Sequence, residues 1–318
     1  MNPDRIKVLC LVGKGRSGGT LLNNLLGQID GFVAPGELRH LWGWGLQQGS
    51  LCGCGEPLPQ CAFWQEVLKT AFDGRAADPS TIVAWEREIL SWRAVPRMIM
   101  QSPHGRPRWQ ALTSYVNVMS RIYRALATTT AANVIVESTK WAASPTALGL
   151  VPGTDSYVLH LVRDPRAVIY SWKNRDKRWV DRPGTPAMER FGPFFSVASW
   201  WARNSMAHMT GFRRGDHRYV RYRYEDFIRD PRGALRRICA WLGEPDADLS
   251  FMSNGKVTIA PTHTVAGNPN RFRTGEIEIR LDDEWLGRQP LPDRLVGTLF
   301  SMPLLQLYGY PLLPQKGR

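Results

Sequence analysis

The chain has 318 residues, with 41 Lys and Arg against 28 Asp and Glu and a formal charge of +13. That length can bury a substantial core, and the surplus of cations favours anionic partners such as nucleotides. The arginines are dispersed, without basic runs or a basic–aromatic repeat, so no nucleic-acid partner is expected. Apolar stretches are too short for a transmembrane helix, and the N-terminus has no signal-peptide core, which leads to the expectation of a soluble cytoplasmic protein.

Ile6 to Val12 is an apolar run of the kind that forms a buried parallel strand. A turn crowded with Gly13, Gly15, Ser17, Gly18 and Gly19 follows, and then Leu22, Leu25, Leu26 and Ile29 fall at helical spacing. Strand, glycine-rich turn and helix make a phosphate cradle, because glycines let backbone N–H groups approach an anion at the helix N-terminus. Gly13, Gly15 and Gly18 satisfy the dinucleotide pattern, with Glu37 at about the right distance for a ribose contact, although little strand precedes it. Gly13, Gly18 and Thr20 fit the nucleotide-hydrolase loop, but Gly19 stands where its lysine is required. Arg16, inside the loop, is the nearest alternative cation.

Asp30-Gly31 stops the first helix, and a short strand leads into a loop carrying Glu37, Arg39 and His40. Cys52, Cys54 and Cys61 then cluster among the chain's five cysteines. In a cytosolic setting these do not make a disulfide framework. Three thiols could supply zinc ligands, with His40 or Cys10 as a fourth, but the C-x-C spacing departs from the usual finger pattern. Ordinary loop thiols without metal are expected. Residues 64–128 read as helical, interrupted by Pro79, Pro96, Pro103 and Pro107, with Met119, Ile122 and Leu126 on one stripe. This insertion is expected to wall an acceptor pocket, to which Trp85, Trp92 and Trp109 could contribute if they are not simply packed.

Asn133 to Glu137 reads as a second strong strand, with Lys140 just beyond it, where open α/β sheets bind ligands. Tyr157 to Val162 is a third, running into Arg163, a capping Asp164 and Pro165 at a helix start. Arg163 and Ser171 can face one site, and a guanidinium fork with a hydroxyl suits a phosphate dianion. Farther on, the segment opening at Arg218 reads as a strand, Asp230 as a cap with Pro231 at the helix start, and Leu235, Ile238, Cys239 and Leu242 as a helical stripe ended by Gly243.

Arg16-Ser17-Gly18-Gly19-Thr20 after a strand resembles the loop by which sulfotransferases hold the 5′ end of 3′-phosphoadenosine 5′-phosphosulfate (PAPS). RDPRAVIYSW, from Arg163 to Trp172, resembles their second signature, whose arginine and serine grip the 3′-phosphate. Arg223-Tyr224-Glu225-Asp226 and its helix match a further family segment. Gly267 to Trp285 is similar to the loop that folds over the adenosine. The resemblance spans about Lys7 to Trp285 and looks closest to bacterial members related to tyrosyl-protein and carbohydrate sulfotransferases. Arg16 replaces the loop lysine of the cytosolic steroid and phenol enzymes, and their C-terminal G-x-x-G-x-x-K is missing, so no phenolic acceptor is inferred.

The expectation is one α/β domain over residues 1–318, a parallel sheet flanked by helices with a phosphate loop after the first strand. The resemblance implies sulfuryl transfer from PAPS, with no metal required, to a hydroxyl, or alternatively an amine, of a small-molecule, glycan or lipid acceptor. It implies cofactor contacts from Gly15, Arg16, Ser17, Gly18, Gly19, Thr20, Arg163, Ser171, Tyr224, Asn268, Arg271 and Arg273. Arg16 and Lys140 would neutralise developing charge. Glu37, in a dehydrated setting that raises its pKa, would be the general base, with His40 as its competitor. An ATP-dependent phosphotransferase and a non-catalytic nucleotide-binding protein remain the alternatives.

Overall fold

The computed structural model describes residues 5–100, 109–141, 143–173, 188–214, 217–253 and 255–313. β1 (Ile6–Val12) alternates between two cores: Val8, Cys10 and Val12 face one, Leu9 and Leu11 the other. A buried parallel strand needs apolar residues on both faces, which explains its unbroken hydrophobic run. The glycine turn leads into α1 (Gly19–Leu26), and β2 (Phe32–Gly36) follows, a strand whose pairing register shifts between Val33 and Gly36, across Pro35.

Beyond short 3-10 and π-helical turns lie α2 (Ala62–Phe72), α3 (Pro79–Ile89), α4 (Val95–Ile99) and α5 (Gln110–Thr130). Pro79 and Pro96 occupy first-turn positions, so they open helices rather than break them. Pro103 and Pro107 lie outside the described residues. α5 buries Leu112, Val116, Met119, Ile122 and Leu126 in the core shared with β1, and α2 and α3 pack on it.

β3 (Val134–Glu137) and α6 (Ser144–Leu148) precede β4 (Thr154–Val162), which begins three residues before the expected Tyr157. Those residues are polar yet buried. Asp155 pairs with Arg5 at 3.3 Å and with Arg218 at 3.0 Å, so charge pairing replaces the apolar signal there. α7 (Pro165–Lys173) starts as expected: the Asp164 carboxylate accepts the Arg166 N–H at 2.9 Å. α8 (Pro193–Arg214), β5 (Tyr219–Arg223), α9 (Tyr224–Arg229) and α10 (Pro231–Trp241) follow, with the Asp230 side chain capping α10. A small antiparallel sheet of β6 (Met252–Ser253), β7 (Lys256–Ile259) and β8 (Gly275–Glu278) comes next. Then α11 (Trp285–Arg288), α12 (Leu291–Leu299) and α13 (Met302–Leu307) close the described chain.

The main sheet has the order β2-β3-β1-β4-β5 with every pairing parallel. From β1 the chain moves to one side of the sheet, and from β4 to the other. The carboxyl ends of β1 and β4 therefore bound a topological switch point, the crevice where such sheets bind ligands. Among the described residues no helix is long and apolar enough to cross a membrane.

Candidate functional site

The glycine turn opens at this switch point. Gly18 has φ of +86°, and a Cβ there would lie 2.5 Å from the Tyr224 ring, so both conformation and space demand glycine. Arg16 also adopts a left-handed conformation, φ +75°, which is uncommon for a residue with a side chain and concentrates at functional sites. α1 has neither a side-chain cap nor an acidic residue in its first turn, so its leading N–H groups face the crevice uncovered by the chain's own carboxylates.

The turn forms the floor of a cavity of about 570 Å³. Gly15, Arg16, Gly18, Gly19 and Thr20 line it, with Glu37 and His40 following β2, Lys140 following β3, and Arg163 and Ser171 from β4 and α7. Tyr224, Asn268 and Arg273 complete the expected residues found there. The cation absent at Gly19 arrives from another strand: a Cβ at Gly19 would lie 2.9 Å from Cε and 3.7 Å from Nζ of Lys140.

Arg163 is buried, stacked on Tyr224 at 4.5 Å, and donates to the Arg16 carbonyl at 3.0 Å and the Asp282 carbonyl at 2.9 Å. Its ion pair with the Asp282 carboxylate is 3.0 Å long, and its Nε is buried without a partner. Ser171 lines the same cavity, so the Arg–Ser pair converges as its spacing predicts.

Glu37 accepts from Lys140 Nζ at 2.8 Å and lies 3.7 Å from His40 Nε2, and the His40 ring stacks on Trp44 at 3.4 Å. Burial alone pushes the Glu37 carboxyl up, but the Lys140, His40 and Arg203 charges and the Lys140 hydrogen bond outweigh it and hold the group below its ordinary value. This corrects the expectation of a raised pKa: the dehydrated setting exists, but it comes with counter-charges.

Two expected contacts do not line the cavity. Ser17 is buried, 3 % exposed, within the turn. The Arg271 guanidinium donates to the Thr264 and Leu51 carbonyls, both at 2.6 Å, and so braces two loops. The helices within residues 64–128 contribute no lining among the described residues; their apolar faces are spent on the core with α5. Trp109 is buried there, Trp92 is 67 % exposed, and further cavity lining comes instead from Trp44, Trp141, Phe191, Phe195 and Arg203.

Lys14, Arg203 and Trp172 were not singled out by sequence. Lys14 Nζ lies 5.0 Å from the Trp172 ring, and burial, then the charges of Arg203 and Arg16, lower its pKa to about 7. Its place in the glycine turn was a usable signal. Arg203, which donates to the Lys140 carbonyl, comes from α8, where no local motif marks it. Ile259, Ile277 and Ile279 give the cavity an apolar end beside Asn268. The Asn268 N–H contacts Thr20 Oγ1 at 3.4 Å, which docks the loop starting at Gly267 against α1.

Residues 9–248 match the family model described as "Sulfotransferase family". No curated protein matches the chain significantly by sequence. Among solved structures, the chain is similar to the sulfotransferase domain of the Synechococcus PCC 7002 olefin synthase, at 21% identity and TM-score 0.55, covering 98% of both chains. It is also similar to the sulfotransferase domain from the curacin biosynthetic pathway, at 18% identity and TM-score 0.52, covering 96% of this chain and 99% of that one. These likenesses extend the shared fold past residue 248, through the loop that follows Gly267.

Proposed function

This chain belongs to the sulfotransferase family, and we propose that it moves the sulfuryl group of PAPS to a hydroxyl of a small-molecule, glycan or lipid acceptor. The observation that carries the reading is the convergence, in one cavity, of the uncapped phosphate turn, the Arg163–Ser171 pair and the Lys140–Glu37 pair. In this reading the turn from Gly15 to Thr20 holds the 5′-phosphosulfate, and Arg163 and Ser171 take the 3′-phosphate. Tyr224, Asn268 and Arg273 contain the adenosine, with the isoleucine-lined end against the base.

The acceptor oxygen attacks sulfur as the bond from sulfur to the bridging phosphate oxygen breaks and its electron pair stays with the departing diphosphoadenosine. Arg16, Lys14 and Lys140 neutralise that growing charge, and preorganised cations in a dehydrated cavity are effective at this. The hydroxyl proton passes to Glu37. In the free protein Lys140 and His40 make Glu37 a weak base; once Lys140 is drawn to the anionic nucleotide, the carboxylate loses its main counter-charge and its basicity rises. Trp44, Trp141 and Phe195 favour an acceptor with an apolar or ring-bearing face beside the reacting hydroxyl.

The test is incubation with PAPS and a panel of hydroxyl and amine acceptors, with chromatography for 3′,5′-diphosphoadenosine and mass spectrometry for sulfated product. Matched release of both is expected. Transfer from ATP with Mg²⁺, and none from PAPS, would overturn the reading in favour of a phosphotransferase.

A further inference from the structure

Outside the cavity, the cysteine loop folds against the segment just before Gly267. Cys52, Cys54, Cys61 and His263 converge there, one ligand atom from each lying within 4.8 Å of every other. Cys54 and Cys61 Sγ are 3.7 Å apart, and His263 Nδ1 is 3.7 Å from Cys52 Sγ and 3.4 Å from Cys61 Sγ. A tetrahedral zinc ion with Zn–S near 2.3 Å and Zn–N near 2.0–2.1 Å has S–S edges of about 3.8 Å and S–N edges of about 3.6 Å. These three separations match those edges, and the remaining ones stay within 4.8 Å. They are far longer than a disulfide bond of about 2.05 Å, and Cys52, Cys54 and Cys61 form no disulfide.

The surroundings fix the four groups before any metal arrives. The Cys52 N–H donates to the Glu56 carbonyl at 2.7 Å and the Gly55 N–H to the Cys52 carbonyl at 2.9 Å, closing a tight knuckle between Cys52 and Cys54. Phe63 stacks on the His263 ring with centroids 4.4 Å apart, and Trp64 Nε1 donates to the His263 carbonyl at 2.9 Å. The Gly53 N–H donates to the Thr264 carbonyl at 2.9 Å, and a Cβ at Gly53 would lie 2.4 Å from the Thr262 carbonyl oxygen. The fourth member is thus His263, some 202 residues beyond Cys61, and not His40 or Cys10. His40 is stacked on Trp44 in the cavity, and Cys10 sits in β1 beside Ser156 at 3.7 Å.

We propose that Cys52, Cys54, Cys61 and His263 bind one zinc ion as a structural site clamping the cysteine loop to the segment that carries the nucleotide-covering loop. Four protein ligands leave no open position for water or substrate, which separates this site from the transfer chemistry. Its reach into the cavity is mechanical. Beyond His263, the Val265 N–H donates to the Pro35 carbonyl at 2.8 Å, and Gly36 packs against the Ala266 carbonyl, immediately before Glu37. Zinc uptake displaces thiol protons, and because an organised site exists only in the folded chain, binding stabilises the fold.

The test uses the full chain purified under reducing conditions without chelator. Elemental analysis should find about one zinc per chain, and Co²⁺ substitution should give thiolate charge-transfer and tetrahedral d–d bands. Chelation should lower the thermal midpoint, and Zn²⁺ but not Mg²⁺ should restore it. Cys54→Ser, at a partly exposed ligand, should lose the metal. Protein that contains no zinc and takes up neither Zn²⁺ nor Co²⁺ would overturn the proposal, as would Cys54→Ser retaining a full equivalent. If Cys54→Ser does not fold, chelation and restoration of the unaltered chain decide. None of these readouts involves PAPS, so the site can fail while the transfer reaction stands, and the reverse.

Discussion

Lys14 offers a sharp test of the cavity's electrostatics. The ammonium is buried among Arg16, Arg203, Trp172 and Phe191, and its pKa is lowered to about 7 by burial first and the two arginines second. A bound phosphosulfate or diphosphate supplies the counter-charge the site lacks and drives the pKa back up. Binding of 3′,5′-diphosphoadenosine should therefore be coupled to uptake of about half a proton near pH 7, approaching one proton about a pH unit higher. Between the free and bound pKa values, affinity should fall by up to about tenfold, or 1.4 kcal/mol, per pH unit. Below that range the nucleotide's own phosphates, with a second pKa near 6, begin to protonate and oppose the trend, leaving a maximum close to neutrality. Calorimetry in buffers of differing ionisation enthalpy reads the proton directly. Lys14→Met should weaken binding and remove the slope above neutrality, since the remaining arginines do not titrate there. Unchanged affinity across that range, with no buffer-dependent heat, would refute the assignment of Lys14 to the phosphate site.

Arg163→Ala should abolish most of the preference for 3′,5′-diphosphoadenosine over AMP, costing on the order of 1.5–3 kcal/mol in calorimetry; equal affinities in the unaltered protein would remove the 3′-phosphate from this pair. Glu37→Gln should leave diphosphoadenosine binding nearly intact and lower turnover by roughly 10²–10⁴-fold, whereas near-normal turnover alongside a folded but inactive His40→Ala would transfer the base to His40. Glu137 and Glu86 should each contribute a fall in thermal stability as pH rises from 4.5 toward 7, because burial raises the Glu137 carboxyl from 4.5 to about 7 and the Glu86 carboxyl from 4.5 to about 8. The folded state holds their protons more tightly than the unfolded state, so their contribution is complete below 4.5 and declines as each ionises. Lys14 acts in the opposite sense above about 7, and the buried His160, lowered from 6.5 to about 4, does so across the lower window. The readout is therefore the pH slope of the melting temperature that Glu137→Gln and Glu86→Gln remove, and a slope unchanged in both variants would contradict the burial of the carboxyls.

What the sequence displayed was whatever local spacing encodes. β1 and its turn stand out because a doubly buried strand must be apolar throughout and the turn must be small. Arg163 and Ser171 are legible because strand end and helix are adjacent in the chain. Arg203 was invisible because its placement depends on α8 crossing near Lys140, a tertiary event with no local signature. The first residues of β4 were hidden because Asp155 is buried by pairing with Arg5 and Arg218 rather than by being apolar. Arg271 misled for the opposite reason. It sits in the expected loop, but two backbone carbonyls claim its guanidinium.

The free cavity is best understood as a set of charges awaiting exchange. Lys14, Arg16, Lys140, Arg163 and Arg203 line one space, and such a cluster repels itself in a poorly solvated site. The chain moderates the repulsion in different ways. Arg163 borrows the Asp282 carboxylate, Lys140 borrows Glu37, and Lys14 lies poised to give up its proton near neutral pH. Under the proposed function, a nucleotide bearing several negative charges replaces all three arrangements at once. Asp282 need no longer serve Arg163 alone, Lys14 recovers its proton, and Glu37 is released from its strongest partner. In the proposed transfer the last of these matters for turnover, since it makes Glu37, the proposed base, most basic only while the donor is bound. A base held down by the cation that the donor later claims would suppress proton abstraction in the empty site and permit it in the filled one. In the proposed transfer the Glu37–Lys140 bond of 2.8 Å is thus the point where binding and chemistry meet. On this argument Lys140→Met should raise the Glu37 pKa in the free protein while still depressing turnover, because the charge lost to the leaving group outweighs the basicity gained.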